Sequence, residues 1–119
     1  MQNFQDLVVW HKAHELALAI YRTTSDFPPD ELYNLTSQLR RAALSIPSNI
    51  AEGCGRDGRT ELRRFLRIAT GSASEVEYQL LLARDLSYLD EFQWNILSAR
   101  VAEVRRMLTA LIRKLTTDN

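Results

Sequence analysis

Leu62, Leu66, Ala69, Ala73, Val76, Leu80 and Ala83 follow one another in alternating steps of four and three. Such a seven-residue repeat is a single apolar seam on a helix, of the kind that packs helices nearly antiparallel in bundles. It predicts one long helix over 59–86. A seam this narrow cannot bury itself, so the rest of the chain has to supply its partners.

Three further stretches fit that need. Trp10, Ala13, Ala17, Ile20 and Thr24, with Leu16 beside them, form a stripe over 7–24, with Asp6 as its expected cap. Ser25-Asp26-Phe27-Pro28-Pro29-Asp30 reads as a turn, because consecutive prolines cannot sit inside a helix. Asp30 is then the expected cap of a second helix over 31–52, with the stripe Leu32, Leu35, Leu39, Ala42, Ala43, Ile46 and Ile50. After a turn at 87–90, Leu97, Val101, Val104, Leu108, Leu111 and Leu115 predict a fourth helix over 91–115, with 116–119 frayed. Short connections make this an all-α, up-down-up-down antiparallel four-helix bundle, with residues 1–119 as a single domain. Phe65, Ile68, Leu82, Leu86, Phe92, Trp94, Ile96, Met107 and Ile112 lie off the seams. They suit either a self-association surface or a wider core.

Two places interrupt the helical pattern. In Ser45-Ile46-Pro47-Ser48-Asn49-Ile50-Ala51-Glu52-Gly53, Pro47 lacks the amide hydrogen that would bond the Ala43 carbonyl. The apolar stripe runs through it, which favours a kink over a stop. Asn49 and Glu52 are placed to bond backbone groups freed there. Gly53 and Gly55 are expected to close the helix in left-handed conformations, ahead of a polar loop to Gly58. Gly71 is the second interruption, and close approach of a neighbouring helix would explain it. A break is the other reading, with Ser72 and Glu75 as a capping box.

Formal net charge is zero, so no overall field steers the chain to nucleic acid or membrane. Antiparallel topology nevertheless separates the charges. Lys12, Arg56, Arg59, Arg63, Arg64, Arg67, Arg113 and Lys114 fall at one end, opposed by Asp6, Glu52, Asp57, Glu61 and Asp118. Asp26, Asp30, Glu31, Asp85, Asp90 and Glu91 outnumber Arg22 and Arg84 at the other. Much of this complements helix dipoles, but arginines crowd the positive start of the third helix against that rule. Arg56, Arg59, Arg63 and Arg67 would share one face if the helix reached back that far. Such a stripe suits either phosphate or salt bridges within and between subunits. Glu77 with Arg100, and Glu75 with Arg40 or Arg41, are expected to fix register.

Enzyme chemistry lacks its parts. His11 and His14 stand near each other, but neither His-Glu-x-x-His nor Glu-x-x-His occurs. Cys54 is the single cysteine. It reads as an ordinary thiol, or as one exposed and activated beside Arg56. Gly53-Cys54-Gly55-Arg56-Asp57-Gly58 has no phosphate-loop lysine. No cofactor and no metal is expected. Without a signal-peptide pattern or an apolar run of membrane-spanning length, the expectation is a cytoplasmic protein.

Several motifs together carry a resemblance. They are Phe4-x-x-Leu7-x-x-Trp10, Phe27-Pro28, Glu31-x-Tyr33-x-Leu35-x-x-Gln38-x-x-Arg41-Ala42-Ala43, the Ser45 to Gly53 stretch, and Ile68-Ala69-x-Gly71-Ser72-x-x-Glu75. The chain resembles the bacterial four-helix-bundle proteins related to those encoded in intervening sequences of 23S ribosomal RNA. It is also similar to the accessory variability protein of diversity-generating retroelements. Asp57 departs from the pattern, in a loop that varies in the family. The resemblance implies a homo-oligomeric ring, most often a homopentamer around a channel, and no catalytic residues. The retroelement relative is associated with nucleic acid and a reverse transcriptase. The functional expectation is a non-enzymatic scaffold binding RNA, DNA or a nucleic-acid enzyme through its arginine-rich end. The alternative is a protein-interaction bundle that spends those arginines between subunits.

Overall fold

The structure, a computed structural model, describes residues 2–117. Four helices fill it: α1 (Val8–Thr24), α2 (Ser37–Gly55), α3 (Arg59–Asp85) and α4 (Glu91–Thr117). Helices adjacent in sequence are adjacent in space, and α4 closes the arrangement on α1. This is the antiparallel bundle that the seams require. All seven seam residues of α3 are buried. They meet Leu16 and Ile20 of α1, Leu39, Ile46 and Ile50 of α2, and Val101, Val104 and Leu108 of α4 in one core cluster. Alanines at 13, 43, 69, 73 and 83 are fully buried. Small side chains at such positions let helix backbones approach.

The helix ends differ from expectation. Asp6 does not cap α1. It belongs to a short 3-10 turn, Phe4–Asp6, whose cap is Asn3, with Asn3 Oδ1 accepting from the Gln5 amide at 3.0 Å. Asp30 does not cap the second helix either. It lies in a 3-10 turn, Pro29–Glu31, followed by a π-helical turn, Leu32–Thr36, in which Glu31 accepts from the Leu35 amide at 3.3 Å. Asn34 leaves helical geometry inside that turn (φ −120°, ψ −108°), and Leu32 is exposed rather than part of the stripe. The start of α4 is a reciprocal box: Asp90 accepts from the Gln93 amide at 2.7 Å, and Gln93 from the Asp90 amide at 3.1 Å. Thr116 and Thr117 are helical rather than frayed. Asp118 and Asn119 lie outside the described residues.

The special residues of α2 and α3 divide. Helix α2 continues through Pro47, which is buried in it. Asn49 Nδ2 bonds the Ser45 carbonyl at 2.8 Å and the Ser45 hydroxyl at 2.9 Å, not the carbonyl of Ala43. Glu52 turns instead to Arg56. Gly53 and Gly55 are not left-handed; α2 runs through both, and the positive φ falls at Gly58 (86°). Gly53 serves contact: a Cβ there would stand 2.9 Å from Phe65 Cβ and 3.1 Å from Leu62 Cδ1. Gly71 does the reverse of what its place in the helix suggests. A Cβ there would meet nothing within 4 Å, and α3 passes through it unbroken, so there is neither close approach nor a Ser72 cap.

Register pairs also shift. Glu77 pairs with Arg105 at 3.1 Å, not with Arg100. Arg40 turns to α1, donating to Thr24 Oγ1 at 2.8 Å and to the Tyr21 carbonyl at 3.2 Å. Neither Arg40 nor Arg41 reaches Glu75. Of the surplus apolar residues, Phe65 is buried, and Leu82, Trp94, Met107 and Ile112 pack against the core. Ile68, Leu86, Phe92 and Ile96 stay exposed. No helix among the described residues is long and apolar enough to cross a membrane.

Candidate anion-binding end

One end of the bundle is assembled from pieces distant in sequence. The Gln2 amide donates to the Cys54 carbonyl at 3.0 Å, holding the N-terminal segment to the end of α2. Arg63 Nη1 donates to the Leu115 carbonyl at 3.3 Å, tying the start of α3 to the end of α4. Between them lies a cavity of about 320 Å³, lined by Gly53, Cys54, Arg56, Gly58, Arg59 and Leu115 among others. Helix α3 opens at Gly58 with no side-chain cap. Its first-turn amides are left for water or an anion.

The predicted arginines do not act alike here. Helix α3 begins at Arg59, so Arg56 is not on its face. Arg56 bonds Glu52 at 3.0 Å and stands 5.3 Å over the Phe65 ring. Arg64 forms a double hydrogen bond with Glu61 (3.0 and 3.3 Å) and also stands over the Phe65 ring, at 4.4 Å. The hydrogen bond from Arg64 holds the Glu61 carboxyl below the usual carboxylate range. Lys12 also leaves the group, with its ammonium 3.6 Å from Glu103 on α4. Arg59, Arg67, Arg113 and Lys114 have no carboxylate partner among the described residues, and Arg63 meets only a carbonyl and a hydroxyl. Asp118, counted against them from the sequence, lies outside the described residues.

Sequence reasoning missed an extension. Arg105, Arg106, Thr109, Ala110 and Arg113 line a shallow groove on α4. Arg106 lies two turns before Arg113, itself expected from sequence, and both are exposed, so that spacing could have revealed it. At the opposite end Arg84 pairs with Asp85 at 3.1 Å, and Tyr88 donates to Glu31 at 2.8 Å.

Other reactive side chains are occupied or withdrawn. His11 Nε2 lies 2.8 Å from the Gln5 carbonyl, and His14 stacks on Trp10 with ring centres 5.0 Å apart. Cys54 is buried, and burial pushes its thiol up from the usual range, the opposite of an activated nucleophile.

The class defined by fold and charge is an all-helical antiparallel bundle with guanidinium groups at one end that have no carboxylate partner among the described residues. The sequence matches the model of the 23S rRNA-intervening sequence protein family over residues 5–110, and the chain belongs to that family. A solved structure similar to it is that of a protein with unknown function from the S23 ribosomal protein family of Bacteroides thetaiotaomicron. The two are 26% identical, the match covers 89% of this chain and 96% of that one, and the TM-score is 0.83. Comparison with curated proteins gives no match.

Proposed function

We propose that the protein is a non-enzymatic, self-associating scaffold that holds nucleic-acid backbone at its arginine-rich end. The observation that carries this reading is the bond from Arg63 to the Leu115 carbonyl. It brings the start of α3 beside the end of α4, where Arg59, Arg67, Arg113 and Lys114 lack carboxylate partners. Guanidinium groups free of carboxylates beside an uncapped helix start favour phosphate oxygens, and backbone contacts of this kind position a strand without reading its sequence. Membership of a family named for a ribosomal RNA intervening sequence agrees with a nucleic-acid setting.

The test is binding to single-stranded and structured RNA across a salt series. Arg59, Arg67 and Arg113 replaced by alanine together should weaken binding. Each lost phosphate contact should flatten the logarithmic salt dependence by about 0.7–0.9. Unchanged affinity and slope in the triple variant would end the reading. A protein-interaction bundle would then be favoured by the exposed Tyr21, Leu32, Tyr33 and Leu44, which line one groove with Arg40 and Arg41.

A further inference from the structure

A second polar concavity lies between α2 and α3, away from the arginine-rich end. It encloses about 330 Å³ and is lined by Gln38, Arg41, Ala42, Ser45, Ser72 and Glu75. That is the lower range of small-molecule sites, ~300–1,000 Å³, but Ala42 alone of the lining is apolar. Its side chains are arranged rather than loose. Ser72 Oγ donates to Ser45 Oγ at 2.9 Å across the two helices, and Asn49 Nδ2 donates to the same hydroxyl at 2.9 Å. With both acceptor positions used, the Ser45 hydroxyl has only a proton left to offer.

Glu75 is held from behind. Gln79 is only 5% exposed, and its Nε2 donates to Glu75 Oε2 at 3.3 Å. The Gln79 Oε1 is buried without a hydrogen-bond partner. Turning the amide over would set that oxygen against the carboxylate, so the orphan stays. Unmet buried acceptors are uncommon and cost stability, and each asks for a reason. Here the amide fixes a carboxylate at the groove. On the facing helix Arg41, which also borders the groove of Tyr21 and Tyr33, has no ion-pair partner among the described residues, and no ion pair joins it to Glu75. A planar bidentate donor and a bidentate acceptor thus line one groove and leave each other unsatisfied.

From this pairing we infer that the α2–α3 groove takes one unpaired guanine base, with Arg41 on its O6/N7 edge and Glu75 on its N1–H and N2–H₂ donors. The arginine fork fits O6 and N7 bidentately. A carboxylate, which only accepts, fits the two adjacent donors of the Watson–Crick edge. That edge is open only in single strands, loops and bulges. Adenine reverses the pattern: its N1 acceptor would face Glu75 and its N6 donor would face Arg41. Discrimination therefore comes from repulsion as well as attraction.

That the base belongs to a nucleic acid rests on the function proposed above, whereas the groove is tested without phosphate. Guanosine and adenosine, both uncharged, are titrated separately into the isotope-labelled protein, and backbone amide signals are followed. Guanosine should shift Ser45, Ser72 and Glu75, and adenosine should leave them in place. Arg41→Ala and Glu75→Gln alter exposed residues, and each should weaken guanosine binding about tenfold. No shifts with guanosine, equal shifts with adenosine, or full binding by Glu75→Gln would each overturn the assignment. Loss of the guanosine effect with salt-dependent RNA binding intact removes the groove and leaves the arginine-rich end. The converse removes that end and leaves the groove.

Discussion

Two glycines on facing helices carry opposite expectations, although both sit inside helical sequence. Gly53→Ala would force a methyl to within 2.9 Å of Phe65 Cβ, which is the near end of its side chain and cannot swing away. The variant should lose about 1–3 kcal/mol in chemical denaturation, as overpacked cores do. Gly71→Ala enters open space in an exposed turn of α3 and should gain about 1 kcal/mol from helix propensity. Equal effects from the two would contradict the packing described. Cys54 and Tyr88 set a pH dependence. Burial raises the thiol; the hydrogen bond to Glu31, ahead of burial and the charges of Glu31 and Asp30, raises the phenol. Both protonated forms are favoured by folding. Their contribution is therefore complete below the unfolded values, ~8.5 and ~10, and is lost as pH rises through the higher folded ones. Stability measured from pH 8 to 11 should fall with pH, and the double variant Cys54→Ala, Tyr88→Phe should flatten the curve. From sequence, Gly53 is expected to close α2 and Gly71 to admit a neighbouring helix; the structure puts the close approach at Gly53 and none at Gly71, which only the neighbour across the interface could decide.

At the scale of elements, the apolar seams determine where helices run but not where they are capped. Asp6 and Asp30 have the right chemistry for caps, yet neither α1 nor α2 has a side-chain cap: Asn3 caps the 3-10 turn before α1, and Glu31 caps the π turn that moves the start of α2 to Ser37. The ends of α3 and α4 depend on each other. Arg63→Ala removes the bond to the Leu115 carbonyl. Amide exchange should then quicken over the last turns of α4 while the centre of the helix keeps its protection. Uniform exchange along α4 would show that the bond does not hold that end. Glu77→Gln, by contrast, breaks an exposed pair with Arg105 and should cost less than about 1 kcal/mol. The pairing of Glu77 with Arg105 rather than Arg100 was beyond the sequence, because both arginines are charged residues on α4. Which one meets α3 depends on how far the helices slide, and the core packing sets that.

For the whole molecule, one contiguous core carries the fold, and its seam is its most sensitive line. Leu66→Ala, at a fully buried position, should cost about 2–5 kcal/mol and unfold the bundle cooperatively. Self-association is the proposal that belongs to this scale. Phe92 (71% exposed), Tyr33 (87%) and Ile96 (38%) present apolar surface that a lone subunit leaves in water. Sedimentation at micromolar concentration should give a species larger than a monomer; a monomer would remove both the ring and its channel.

The sequence by itself determined four amphipathic helices, their antiparallel order and the gathering of arginines at one end. Periodicity and chain direction are local properties, and they add up along the chain. Which arginines keep their charge unpaired was decided partly by local spacing and partly by the tertiary structure. Arg56 and Arg64 find carboxylates three or four residues away and a shared aromatic ring, while Arg59, Arg67 and Arg113 find none among the described residues. The approach of Arg41 to Glu75 is expected from sequence; the structure decided that both line one groove without forming an ion pair. The pairs of Arg56 and Arg64 follow from spacing along the chain, whereas the contacts of Lys12 with Glu103, Arg63 with the Leu115 carbonyl and Arg105 with Glu77 join different helices and follow from packing.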